Sequence, residues 1–227
     1  MTDSPAQNLE RKEDKKPKKK GTNFKDPSKL VTLVVGPEKK EFVVHKEFAC
    51  QYSPVFKAAF NGEFIEGQTQ TYALEDVTEP VARLLVNWLY TQQLDLCRYE
   101  AGHAEKKVED LSLCQLWVLA GKSNLALTMR NLGTRNKLLL PGLQNLIVHT
   151  IQEINRATNV TCTGSVKYVY QNTCEESPLR KLFVHQCACY GGNTWFRKYP
   201  ERFPKDFLLD LAELALGFVD RKAMIEH

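Results

Sequence analysis

The chain has 227 residues, 43% of them hydrophobic and 26% charged, with a formal net charge of +4. That is enough apolar material for a core in one large domain or two small ones, and it excludes whole-chain disorder, a collagen and a pure coiled coil. Apolar runs such as Leu138-Leu139-Leu140 fall far short of the ~18 residues of a membrane span, and residues 1–20 lack the apolar stretch of a secretory signal.

The first segment is a tail. Residues 1–27 hold eight Lys/Arg and five Asp/Glu, whereas residues 28–227 hold 23 and 22, so the folded part is nearly neutral. With Pro5, Pro17 and Pro27 and almost no large apolar side chain before Phe24, the tail reads as disordered. Within it the lysines Lys15, Lys16, Lys18, Lys19 and Lys20 form a candidate nuclear import signal, or else a solvated basic arm. A near-neutral folded part argues against nucleic-acid binding there, because that needs clustered cations. Seven scattered Cys, an odd number, fit reduced thiols rather than a disulfide framework. The expected location is the cytosol or nucleus, where the sequon Asn159-Val160-Thr161 stays silent.

Lys29–Val35 and Glu41–Val44 are short and rich in β-branched residues, and the turn residues Gly36-Pro37 between them predict a hairpin. A helical turn follows over His45–Cys50. Ser53 as N-cap and Pro54 at the first helical position open a short helix that Asn61-Gly62 closes. Thr69–Leu74 is a third strand. Thr78-Glu79-Pro80 starts a helix with Val81, Leu84, Leu85, Trp88 and Leu89 on one stripe. Leu94–Cys97 reads as a last short strand, residues 100–110 as a polar loop, and Leu113, Leu116, Trp117 and Ala120 restart the helical period.

The rest is helical. Pro141 opens a helix with Leu143, Leu146, Ile147, Thr150, Ile151 and Ile154 on one face. A short helix covers Val166–Tyr170. Ser177-Pro178 opens another, with Leu179, Leu182, Phe183, Gln186 and Tyr190 inward, and the last runs over Asp206–Phe218. Strands first and helices after define an α+β class rather than alternating β-α-β. No internal repeat of 20–50 residues is visible.

Several of these stretches together resemble the BTB/POZ domain. They are Leu30–Gly36, Phe42–Lys46, Ser53–Phe60, Gly62–Glu66, Tyr72–Val77 and Trp88-Leu89-Tyr90. The second half looks like the helical region of short fungal members, over Asn136–Asn145, Tyr168–Thr173, Ser177–Leu182 and Phe203–Phe207. The resemblance divides the chain into a tail (1–27), a BTB/POZ domain (28–135) and a helical C-terminal region (136–227). In similar fungal sequences the helix ending at Ala120 runs almost directly into the Lys137 region. Gly121–Arg135 is then either an insertion, with Leu125, Met129 and Leu132 on one helical face, or an intron translated in frame.

The resemblance implies a non-enzymatic protein–protein interaction module that dimerises or bridges a cullin-type ubiquitin-ligase scaffold to a substrate. Adaptors of that kind carry a hydrophobic residue, any residue, then Glu before the third strand. Phe64-Ile65-Glu66 fits, which makes Phe64 and Glu66 the candidate cullin contact; the alternative is that Phe64 packs against Phe60. Transcription-factor members carry an Asp before the first strand where this chain has Leu30. The rival reading is a nuclear dimerisation or regulatory module without a ligase role.

Enzyme signals are weak. Gly121-Lys122-Ser123 resembles the end of a phosphate loop, but the first glycine of that motif would fall at Leu116. In His185-Gln186-Cys187-Ala188-Cys189 the two cysteines lie two apart, on opposite sides of a helix, and cannot share an ion; His185 and Cys189, at i and i+4, could, but no second pair with ligand spacing accompanies them. His45 is expected to be a structural histidine. No catalytic residue, metal, cofactor, nucleic acid or membrane is expected as a ligand of the folded part.

Overall fold

The computed structural model describes residues 25–96, 103–121, 137–192 and 194–223, with side chains from residue 110 in the second stretch and up to 217 in the last. The Lys15–Lys20 cluster, Cys97 and residues 122–136 lie outside them.

Strand β1 (Leu30–Val35) is central in a three-stranded sheet of order β2-β1-β3. It pairs antiparallel with β2 (Lys40–His45), setting Val31 opposite Val44 and Leu33 opposite Phe42. It pairs parallel with β3 (Thr71–Leu74), setting Val35 opposite Leu74. Val31, Leu33 and Val35 are all buried, as the two-residue period requires when one face of a strand meets a core. The hairpin turn takes positive φ at Gly36 (68°) and at Lys39 (52°). At Gly36 a side chain would also crowd the Val77 carbonyl at 3.2 Å, so glycine serves both the turn and the close approach.

Helices α1 (Lys46–Tyr52) and α2 (Pro54–Asn61) follow directly. Ser53 Oγ accepts the Phe56 N–H at 3.2 Å, the expected cap. A helix absent from the expected order, α3 (Ile65–Thr69), precedes β3. Helix α4 (Glu79–Thr91) buries Val81, Ala82, Leu85, Trp88 and Leu89, and α1 and α4 both pack on β2.

Two expectations fail here. Residues 94–96 form no strand; Leu94 and Leu96 instead pack half-buried against the core. The polar stretch is no loop from residue 103 onward, because α5 runs from His103 to Ala120. Ala, Glu and Lys there are strong helix formers, so intrinsic propensity extends the helix without an apolar stripe.

Leu138 N–H donates to the Leu119 carbonyl (2.9 Å) and Leu140 N–H to the Ala120 carbonyl (2.8 Å), which lays the returning chain against the end of α5. Ser53 Oγ donates to the Leu138 carbonyl at 2.7 Å. Then come α6 (Pro141–Thr158), a 3-10 turn (Thr163–Ser165), α7 (Val166–Asn172), α8 (Pro178–Tyr190), α9 (Trp195–Lys198), a 3-10 turn (Pro200–Arg202) and α10 (Lys205–Ala223). One contiguous cluster of buried side chains reaches from Val31 to Phe207. Tyr190, expected inward, is 51% exposed, because α8 ends at that residue.

Arg180 of α8 is buried. Its guanidinium donates to Thr173 Oγ1 (3.1 Å) and to the carbonyls of Tyr170 (2.8 Å) and Thr173 (2.5 Å), and lies 4.4 Å from the centre of the Tyr170 ring. It thereby caps carbonyls at the C-terminal end of α7 that have no helical partner. The Tyr170 hydroxyl donates to Asp210 of α10 at 2.5 Å, and burial together with that carboxylate pushes its pKa well up. Gln186, also on α8, is buried with neither end of its amide paired among the described residues.

Candidate functional site

The Phe64–Glu66 patch is built by a tight turn after α2. A side chain at Gly67 would run into the Gly62 carbonyl, so glycine alone lets the turn close. Gln70, with φ of 52°, ends α3, and its amide nitrogen donates to the carbonyls of Phe60 (3.0 Å) and Gly67 (2.5 Å). Lys46 Nζ donates to the same Phe60 carbonyl at 2.7 Å. The Gln70 bonds tie the end of α3 to the end of α2, and the Lys46 bond joins α1 to the same carbonyl.

Beneath the turn, Phe56 and Phe60 are fully buried, with ring centres 5.6 Å apart, and Tyr72 stands edge-on to Phe56 at 5.2 Å. Phe64 does not join that cluster. It is 76% exposed, and Ile65 beside it is 65% exposed. Glu66 is half-buried and makes no ion pair among the described residues. Burial first, then the Glu66 carboxylate, raises the Tyr72 pKa. The result is an aromatic and an aliphatic side chain projecting together beside one acid, an arrangement suited to filling a partner's apolar pocket and orienting it from the rim. Ile65 was not singled out in the sequence because the pattern leaves its middle position free; only its exposure brings it into the patch.

His45 shares a 2.8 Å hydrogen bond from Nδ1 with the Tyr90 hydroxyl, which also accepts the His45 backbone N–H at 2.9 Å. On α8, His185 and Cys189 are exposed while Cys187 is buried. Burial pushes the thiols of Cys114 and Cys187 up to about 12 and that of Cys162 higher still, far from the range of a nucleophile at neutral pH. Among the described residues no three His, Cys, Asp or Glu converge as a metal site, and no helix is long and apolar enough to cross a membrane.

A small mixed sheet capped by helices, followed by more helices, thus presents an apolar patch beside one acid. Residues 23–117 match the family model of the BTB/POZ domain. Over 103 residues the chain is 24% identical to the human Kelch repeat and BTB domain-containing protein 12, a stretch that makes up 43% of this chain and 16% of that relative. The chain thus carries a BTB/POZ domain over residues 23–117, followed by a helical C-terminal region. A BTB/POZ domain is a protein–protein interaction module.

Proposed function

We propose that the chain is a non-enzymatic substrate adaptor of a cullin-type ubiquitin ligase, contacting the scaffold through Phe64 and Glu66 of its BTB/POZ domain and able to form a homodimer. The observation that carries this reading is the exposure of Phe64 and Ile65 on a turn held rigid from below. An exposed aromatic on a fixed frame loses little entropy when a partner pocket closes over it. The kelch-containing relative adds that BTB/POZ domains occur beside a second module.

The test is co-purification of a cullin scaffold with the full chain and with its Phe64→Ala/Glu66→Ala variant. Truncating an aromatic anchor at an interface costs about 2 kcal/mol or more, roughly 30-fold in Kd. The same change at a solvent-facing site moves folding stability by less than about 0.5 kcal/mol. Loss of the scaffold at unchanged melting temperature supports the contact. Retention of the scaffold by the variant, or its absence from the wild type beside nuclear partners, rejects it. The second outcome favours a nuclear dimerisation module without a ligase role, the reading that rests on the Lys15–Lys20 cluster.

A further inference from the structure

On the helical side of the molecule a cleft of about 470 Å³ opens between the last turn of α5, helix α6 and the turn joining α7 to α8. That volume lies within the ~300–1,000 Å³ typical of pockets that hold a ligand. Its apolar wall includes Trp117, Val148 and Pro178, and its polar wall includes Lys137 and Asn145. The charges are unbalanced. Lys137 is half-buried and pairs with no carboxylate among the described residues. Glu176, the acid on the cleft's lining, is held by Lys181 at 2.6 Å. The indole N–H of Trp117 is shielded from water and meets no acceptor among the described residues. The cleft therefore sets a lysine without a carboxylate partner among the described residues beside an apolar wall.

We propose that this cleft receives a short acidic segment of a partner protein, its carboxylate on Lys137 and an adjoining apolar side chain against Trp117 and Val148. Desolvation lowers the Lys137 pKa, and an incoming carboxylate would favour the charged form and gain a charge-assisted hydrogen bond. The amide of Asn145 can pair with the backbone of an extended peptide. This deepens the adaptor reading by naming where the substrate docks, on a surface separate from the Phe64 patch.

A random dodecapeptide library displayed on phage and selected on the full chain tests it. Enriched sequences should place Asp or Glu next to an aromatic or aliphatic residue. The labelled consensus peptide should bind about tenfold or more weakly to Lys137→Gln, and more weakly as salt rises. Asn145→Trp, an exposed position at the mouth, should block binding while the chain stays folded. Phe64→Ala/Glu66→Ala should bind the peptide unchanged, so failure of the cullin contact and failure of this site are read separately. The proposal is overturned by no enrichment, by a neutral or basic consensus, by binding indifferent to both cleft variants, or by occupancy of the cleft by free glutarate but no peptide.

Discussion

Arg180→Met is expected to destabilise the chain by about 3 kcal/mol. Methionine keeps much of the unbranched apolar stem but removes every donor. Two carbonyls, of Tyr170 and Thr173, then lose the guanidinium at 2.8 and 2.5 Å, and Thr173 Oγ1 loses a partner at 3.1 Å. Each buried carbonyl left unsatisfied costs about 1–3 kcal/mol, and the lost stacking over Tyr170 adds about 0.5–2 kcal/mol. Against this stands the relief of no longer desolvating a cation, worth a few kcal/mol, which brings the sum back to about 3. Arg180→Lys should recover only part, because an ammonium cannot serve three acceptors along a planar fork. Urea unfolding reads the effect as a fall in midpoint at constant slope. The control is Arg156→Met, whose side chain is 67% exposed and whose pair with Glu153 is a surface one; it should change stability by less than about 0.5 kcal/mol. A midpoint for Arg180→Met equal to that of the control would refute the capping argument and leave Arg180 as a space-filler.

Gln186→Met should raise stability by about 1–2 kcal/mol, since it replaces a buried amide with no partner among the described residues by an apolar chain of similar size; an unchanged or lower urea midpoint would show that water or another group satisfies the amide. Cys174 and Cys189, both exposed, should alkylate in the native state, while Cys114, Cys162 and Cys187 should react only on unfolding, as peptide mass mapping would read. Those buried thiols are raised from an ordinary 9.0, to about 12 for Cys114 and Cys187, so the folded state holds protons that the unfolded state releases. Stability should therefore be flat below about pH 9 and fall from there toward pH 12; a melting temperature constant across that window would contradict the burial. Replacing residues 123–135 by Gly-Ser-Gly should leave the melting temperature unchanged, because the link between Gly121 and Lys137 still reaches about 20 Å and the flanking chain is already held by the Leu138-to-Leu119 bond; loss of folding would show that the segment supports the core.

The elements written in local chemistry were readable from sequence. The Ser53-Pro54 start of α2, the β-branched hairpin and the stripe of α4 each carry their own cap, turn or period. What escaped has its cause elsewhere in the chain. Helix α3 is five residues with a glycine and no stripe, and it is closed by the bonds of the Gln70 amide to the Phe60 and Gly67 carbonyls. The Leu94-Asp95-Leu96 alternation mimics a strand, yet its leucines find the core rather than a sheet edge. Phe64 and Glu66 could be marked by pattern, but whether Phe64 faces solvent or Phe60 depends on how the Gly62–Gly67 turn closes. The cleft was invisible, since Trp117, Lys137, Val148 and Pro178 come from four separate stretches and share no motif.

Ser53 shows how a distant residue can narrow a local code. As a helix cap alone, Ser, Asp and Asn would be nearly interchangeable at this position. Here the hydroxyl accepts from Phe56 and also donates to Leu138, 85 positions away. A carboxylate has no proton for that second bond and would face the carbonyl oxygen with like partial charge. The drift open to residue 53 is thus confined to side chains that can give and take at one atom. A chimaera that joined this BTB/POZ domain to another helical region would have to supply a carbonyl at the place of Leu138.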